Sequence, residues 1–166
     1  PDYYTAVDIH QHPGGVWSDS IAGYVYERGA RTTTPTLQRD LDLHYRFTDL
    51  VIGMHRPRRL LDMGCGFGKS TKPFYETMRD AEVVAVDLAE PCLRLAAREA
   101  SAAQARNVRF MQKDASRTGL GDGQFDVVTS TMLLHEMPPP VIRDLIAESY
   151  RLLEPGGVAV HLDFLP

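Results

Sequence analysis

The stretch that decides the fold is Leu60-Leu61-Asp62-Met63-Gly64-Cys65-Gly66-Phe67-Gly68-Lys69-Ser70. An apolar run ends at an acid and breaks into alternating glycines, the pattern of a buried strand that turns sharply into a helix. Glycines there let main chain approach a ligand closely and adopt positive φ, both of which a Cβ obstructs. Two phosphate-binding signatures each fall short by one position. A P-loop, GxxxxGK[ST], shares the end Gly68-Lys69-Ser70 but needs its first glycine where Met63 stands. A dinucleotide fingerprint, GxGxxG, counted from Gly64 needs its last glycine where Lys69 stands. What is left is Asp62-x-Gly64-x-Gly66-x-Gly68 at a strand end.

Outward from the loop, strand-type runs at 59–63, 82–88, 108–112, 125–132 and 157–164 alternate with helix-type segments. The near-continuous apolar Val83-Val84-Ala85-Val86 and Val127-Val128 mark strands covered on both faces, as a parallel sheet requires. Pro91 opens one helix. After Pro140, residues Val141, Ile142, Leu145, Ile146, Ser149, Leu152 and Leu153 are read as one helical face, and Pro155-Gly156-Gly157 ends that segment. The fold class expected is α/β, an open and mostly parallel sheet with helices on both faces and a ligand at the carboxyl ends of its strands.

Residues 1–36 are rich in Tyr, Gly, His and Thr without a sustained period, and a helix is expected from Thr34-Pro35 to His55. That helix carries two apolar stripes, one through Leu37, Leu41, Tyr45, Thr48 and Ile52 and one through Leu43, Phe47, Leu50 and Met54, so burial on both sides is expected. Residues 1–58 are read as an N-terminal helical lid on a core of 59–166.

Composition narrows the function. With 166 residues, 43% hydrophobic and 24% charged, the chain is sized for one folded domain. Its longest apolar runs, Leu50–Met54 and Val83–Val86, fall far short of the ~18 residues of a membrane span. A net charge of −4 offers no diffuse attraction to phosphate backbones or anionic lipid, so the expected partner is a small molecule, not nucleic acid or membrane. Cys65 and Cys92 lack any disulfide or CxxC pattern, and reduced thiols in a cytoplasmic protein are expected. Pro1 stands where an initiator Met would, so translation is expected to begin upstream.

The glycine loop and its surroundings resemble the class I S-adenosylmethionine-dependent methyltransferases, from about Leu37 onward. Asp87 ends Val84-Ala85-Val86-Asp87, where the family's acid accepts both ribose hydroxyls. Asp114 follows the third strand in Gln112-Lys113-Asp114-Ala115, where the family places a side chain near the adenine amino group. The segment from Phe125 to Pro138 looks like the fourth strand and its loop, and Leu152-Leu153-Glu154-Pro155-Gly156-Gly157 like the turn before the fifth. The resemblance implies a Rossmann-like three-layer sandwich that binds S-adenosylmethionine through Asp62, Gly64, Cys65, Gly66, Gly68, Asp87, Leu88, Asp114, Ala115 and Thr131. Physically, bare main chain at Gly64 to Gly68 suits the methionyl tail, and an acid at Asp87 suits two hydroxyls while discouraging a phosphate. The competing readings are a strand-end or helix-capping carboxylate for Asp87, an Asx turn for Asp114, and a purely loop-orienting role for Asp62.

The tetrad that family members acting on planar amino groups carry after the fourth strand is replaced by Thr131-Met132-Leu133-Leu134, which disfavours nucleobase amines. Leu134-His135-Glu136-Met137-Pro138 looks more like members of quinone, lipid and polyketide pathways. The expected reaction is methyl transfer to an oxygen or carbon of a small molecule, with His135 the candidate general base and loop bracing its alternative. Glu136 is read as a helix cap or loop brace. The N-terminal aromatics and histidines, Tyr3, Tyr4, His10, His12, Trp17, Tyr24 and Tyr26, supply a candidate acceptor pocket, with Tyr24, His10, His12 and Trp17 foremost. His10 and His12 alone, without a third ligand, do not make a metal site. Two other classes remain open: a catalytically silent S-adenosylmethionine-binding module and a P-loop nucleotide-binding protein. The family's sheet continues past its fifth strand, whereas this sequence stops at Pro166. The C-terminal strands are therefore expected to be missing, or a homo-oligomer to cover the exposed edge.

Overall fold

Five strands form one sheet among the residues that the computed structural model describes, 1–5, 20–33 and 42–164. They are β1 (Arg59–Met63), β2 (Glu82–Asp87), β3 (Val108–Gln112), β4 (Phe125–Thr131) and β5 (Leu153–Leu162), in the order β3-β2-β1-β4-β5. Every pairing is parallel. The sequence explains the centre: Leu60, Leu61, Met63, Val83, Val127 and Val128 have apolar partners on both faces and are buried. The chain lays β2 and β3 to one side of β1 and β4 and β5 to the other, and this switch in strand order opens a crevice at the carboxyl ends of β1 and β4.

Helices α4 (Thr71–Thr77), α5 (Glu90–Ala102) and α6 (Pro139–Leu152) fill the crossovers, and α1 (Asp2–Thr5), α2 (Ala22–Thr33) and α3 (Leu43–Met54) precede them. One core joins Phe47 and Val51 of α3 and Phe74 of α4 to Leu60, Val83 and Val127. The Phe47 and Phe74 rings meet edge to face, centroids 6.3 Å apart. The opposite core packs Leu145 and Leu152 of α6 on Leu61, Met63, Val84 and Val128. Buried polar groups pin the ends of this frame. Asp126 accepts the backbone N–H groups of Arg58 at 2.8 Å and Arg59 at 3.0 Å, which ties the start of β1 to β4. Asn107 donates from Nδ2 to the carbonyls of Met78 at 2.9 Å and Ala81 at 3.2 Å, closing the end of α4.

Three expectations are corrected. The helix begins at Leu43, where the Asp42 carboxylate accepts the His44 N–H at 2.9 Å as an N-cap; residues 34–41 lie outside the described residues. Only one of its sides is buried. Phe47, Thr48 and Val51 face the core, whereas Leu43, Leu50 and Met54 are 48%, 57% and 60% exposed. Finally, β5 starts before the Pro155-Gly156-Gly157 turn. Leu153 pairs with Phe125, the chain bulges, and Val158 resumes the ladder opposite Val127. Among the described residues no helix is long and apolar enough to cross a membrane.

Candidate functional site

From Met63 the chain leaves β1 and crosses the end of β2, where the N–H groups of Gly64 and Cys65 donate to the Val86 carbonyl at 2.8 and 3.0 Å. Gly64 and Gly66 take positive φ, +71° and +52°. The loop then closes on Asp87. Oδ2 accepts the Gly66 N–H and Oδ1 the Ala89 N–H, each at 2.8 Å. Asp87 thus shapes the loop from the end of β2, a place where a carboxylate suits a diol. A Cβ on Gly64 would fall 2.6 Å from the side chain of Leu133, two residues past the end of β4. Gly68 has a different duty: at φ +85° its Cβ would lie 2.9 Å from the Ala96 Cβ, so it serves the packing of the loop on α5.

Asp62 sits beneath this loop, fully buried, accepting hydroxyls from Ser70 at 2.8 Å and Thr71 at 2.6 Å. It therefore anchors the start of α4 and does not line the cleft. Burial pushes its carboxyl up to about 6, against the lowering effect of the Thr71 and Ser70 hydroxyls. The folded chain holds this proton more tightly than the unfolded one, so stability falls as pH rises from the ordinary 3.8 through about 6. Asp62→Asn removes that titration. The stability of the parent relative to the variant, read from urea unfolding, is expected to drop by on the order of 2–3 kcal/mol between pH 4 and 7. A pH-independent difference would show that the carboxylate ionises there without penalty.

The cleft runs across the strand ends. On the β1 and β4 side it is walled by Gly64, Gly66, Met132, Leu133, Glu136 and Tyr26. On the β2 and β3 side Leu88, Cys92, Lys113, Ala115 and Met137 line it, with Asp87 between the two halves. Tyr3 and Tyr4 of α1 stand over it. Tyr26 comes from α2, with its ring edge to face on Phe67 at 5.4 Å. Burial raises its phenol, and that of Tyr4, above the ordinary range. Burial likewise pushes the Cys92 thiol up to about 12 and the Cys65 thiol well above its usual range, so both stay protonated.

Of the remaining expected contacts, Leu88 and Ala115 line the cleft, whereas buried Cys65 and Thr131 lie behind its wall. Asp114 does not line it either. Its Oδ1 accepts the Ser116 N–H at 2.9 Å, an Asx turn, and also the Tyr3 hydroxyl at 2.7 Å. Tyr24 is 45% exposed and accepts from Arg98 at 2.7 Å outside the cleft. Two positions on, and so ~200° around the helix, Tyr26 takes the inward place. His10, His12 and Trp17 lie outside the described residues. His135 stands behind the wall, its Nε2 3.0 Å from Glu136 Oε1 and its Nδ1 2.7 Å from Asp163 Oδ1. Burial alone would raise the Asp163 carboxyl, but the bonds from His135 and from the N–H groups of Phe164 and Leu134 hold it below the usual carboxylate range. Sequence reasoning named Tyr3, Tyr4 and Tyr26 among the N-terminal aromatics without ranking them, and took Glu136 for a brace. The amphipathic period of α2 was the signal available for Tyr26.

These residues fit a nucleoside amino acid. Asp87 offers an acid for a diol, glycines bare the main chain, and Leu88, Ala115 and Met137 give apolar walls to a flat base. A phosphate does not fit, because the loop N–H of Gly66 is directed at a carboxylate, and the P-loop alternative ends there. Residues 60–157, more than half of the chain, match the family model described as a methyltransferase domain. A demethylmenaquinone methyltransferase of Thermus thermophilus is 35% identical over 126 residues, covering 75% of this chain and 56% of that protein. A ubiquinone/menaquinone biosynthesis C-methyltransferase of Dinoroseobacter shibae is 34% identical over 127 residues, 74% of this chain and 50% of that one. The chain thus spans about half the length of these curated relatives. Among solved structures, the cyclase SpnF superposes with a TM-score of 0.61 at 30% identity over 70% of this chain and 43% of that one. The chain belongs to the class I S-adenosylmethionine-dependent methyltransferases.

Proposed function

We propose that the protein transfers a methyl group from S-adenosylmethionine to a carbon or oxygen of a small, apolar, ring-bearing acceptor of the quinone class. One observation carries this reading. Beside the glycine loop the cleft wall is apolar, built from Met132, Leu133 and Tyr26, and interrupted by a single carboxylate, Glu136. Such a wall suits a flat hydrocarbon ring with one acidic hydroxyl or carbon, and the names of the two quinone relatives point the same way.

Bound S-adenosylmethionine supplies an electrophilic methyl on a positively charged sulfur. In this proposal Asp87 holds the ribose hydroxyls, Gly64 and Gly66 lay main chain against the methionyl tail, and Leu88 and Ala115 flank the adenine. Tyr26 and Met132 keep water from the reacting centre. Glu136, which lines the cleft, takes the acceptor's proton, and His135 between Glu136 and Asp163 is a positioning residue. His135→Ala is expected to lower kcat about tenfold while the KM for S-adenosylmethionine stays within about twofold. Steady-state kinetics over a pH series checks this, and an unchanged kcat removes His135 from the mechanism.

Incubation with methyl-labelled S-adenosylmethionine and demethylmenaquinol, followed by mass spectrometry, tests the acceptor class; a product methylated on the ring supports it. A second reading has its own support. A solved chain 30% identical bears the name of a cyclase, so this fold also serves proteins not named for methyl transfer. Tight cofactor binding without transfer to quinols, phenols or carboxylates favours that silent-module reading.

A further inference from the structure

The free volume left in the cleft is about 90 Å³, whereas pockets for drug-sized ligands run from ~300 Å³ upward. α1 borders that space with two residues, Tyr3 and Tyr4. Its Tyr3 hydroxyl donates to Asp114 Oδ1 at 2.7 Å, on the oxygen that also accepts Ser116 N–H and Oγ–H. Its Tyr4 ring packs with Ala89, Cys92, Tyr26 and Phe67, close enough to Asp87 for that charge to reinforce the effect of burial on the phenol. Thus one flat ring in the cleft wall donates its hydroxyl to Asp114, the acid behind it read as the contact of the adenine amino group, and a second lines the cleft together with Asp87, the acid read as the ribose contact. A phenol that donates to a carboxylate reproduces the hydrogen bond an amino group or sugar hydroxyl would make there.

We propose that Tyr3 and Tyr4 are a built-in occupant of the nucleoside half of the cleft, an autoinhibitory contact that the cofactor displaces on binding. The proposal rests on the reading of Asp87 and Asp114 as nucleoside contacts. The neighbouring α2 is fixed: a Cβ on Gly23 would lie 2.5 Å from the Pro91 carbonyl oxygen, so this helix sits directly on the backbone of α5. The movable piece is α1, whose four residues are too few to hold a helix in water without these contacts. Cofactor affinity is then reduced by the fraction of molecules in which α1 is displaced.

Calorimetry and stopped-flow binding with S-adenosylhomocysteine on the full chain test this. Tyr3→Phe, which keeps the ring and deletes only the donor, is expected to tighten binding about threefold. The double variant Tyr3→Ala, Tyr4→Ala is expected to tighten it about tenfold or more. In the parent the observed binding rate should level off with ligand concentration at the opening rate of α1, and in the double variant it should rise linearly. Affinity that is unchanged or weaker in Tyr3→Phe overturns the proposal and makes the tyrosines walls of the bound state; so does a double variant that folds, by its melting curve, yet binds no tighter. Asp87→Ala in the same series keeps the two ideas apart. If it leaves S-adenosylhomocysteine affinity intact, the nucleoside reading fails whatever the tyrosine variants do.

Discussion

Asp87→Ala is expected to weaken S-adenosylhomocysteine binding by about a thousandfold, measured by calorimetry against the parent. Two hydroxyls on one carboxylate are charge-assisted hydrogen bonds worth ~1.5–3 kcal/mol each, and ~1.4 kcal/mol is a factor of ten. The carboxylate also accepts the Gly66 and Ala89 N–H groups, so its removal unties the loop as well as the ligand. Asp87→Asn should recover little. An amide keeps a single accepting oxygen, and its NH₂ would confront the N–H of either Gly66 or Ala89. A loss of less than about tenfold in the alanine variant would move the nucleoside away from Asp87 and with it the assignment of the cleft.

Gly68→Ala is expected to lower stability by about 4 kcal/mol, a fall in Tm of about 12 °C at this chain length. Left-handed backbone costs a residue with a Cβ ~1–2 kcal/mol, and Gly68 sits at φ +85°. The added carbon would also lie 2.9 Å from the Cβ of Ala96, a buried helix residue that cannot swing aside, and such overpacking costs ~1–3 kcal/mol. Gly53→Ala makes the control. It lies in α3 with nothing within 4 Å of a new Cβ, and alanine there should stabilise by ~0.5–1 kcal/mol. Equal melting temperatures for Gly68→Ala and the parent would show that the loop yields where its packing says it cannot.

The strands and the glycine loop were legible because their signals are local. β1 and β3 span the strand-type runs expected at 59–63 and 108–112. The start of α3 had a readable sign in Asp42, an acid before an apolar run, but Thr34-Pro35 competed for the same role. The buried side takes Phe47 from one expected stripe, Thr48 from the other and Val51 from neither, and which side that is depends on what packs against the helix, a tertiary fact. The β5 bulge is also tertiary: a Cβ on Gly157 would lie 2.9 Å from the Asp126 carbonyl oxygen, so the chain bends where β4 comes close. In the site, Asp87, Gly64 and Gly66 line the cleft where the sequence put them, because backbone at strand ends fixes their places. His135 and Glu136 could not be told apart by position in the sequence because they share a 3₁₀ turn, Leu134–Glu136. Neighbours there point ~120° apart, which puts Glu136 in the cleft wall and turns His135 toward Asp163.

The buried carboxylates at opposite ends of the central strands divide the molecule's compliance. Asp126 locks β1 to β4 at the bottom of the sheet, while Asp62 grips Ser70 and Thr71 at the top and meets the Thr129 hydroxyl of β4 at 3.4 Å. A crevice floor riveted at both margins has little capacity to widen, so whatever room a guest molecule requires must be found overhead, in segments that can be shed without disturbing the sheet.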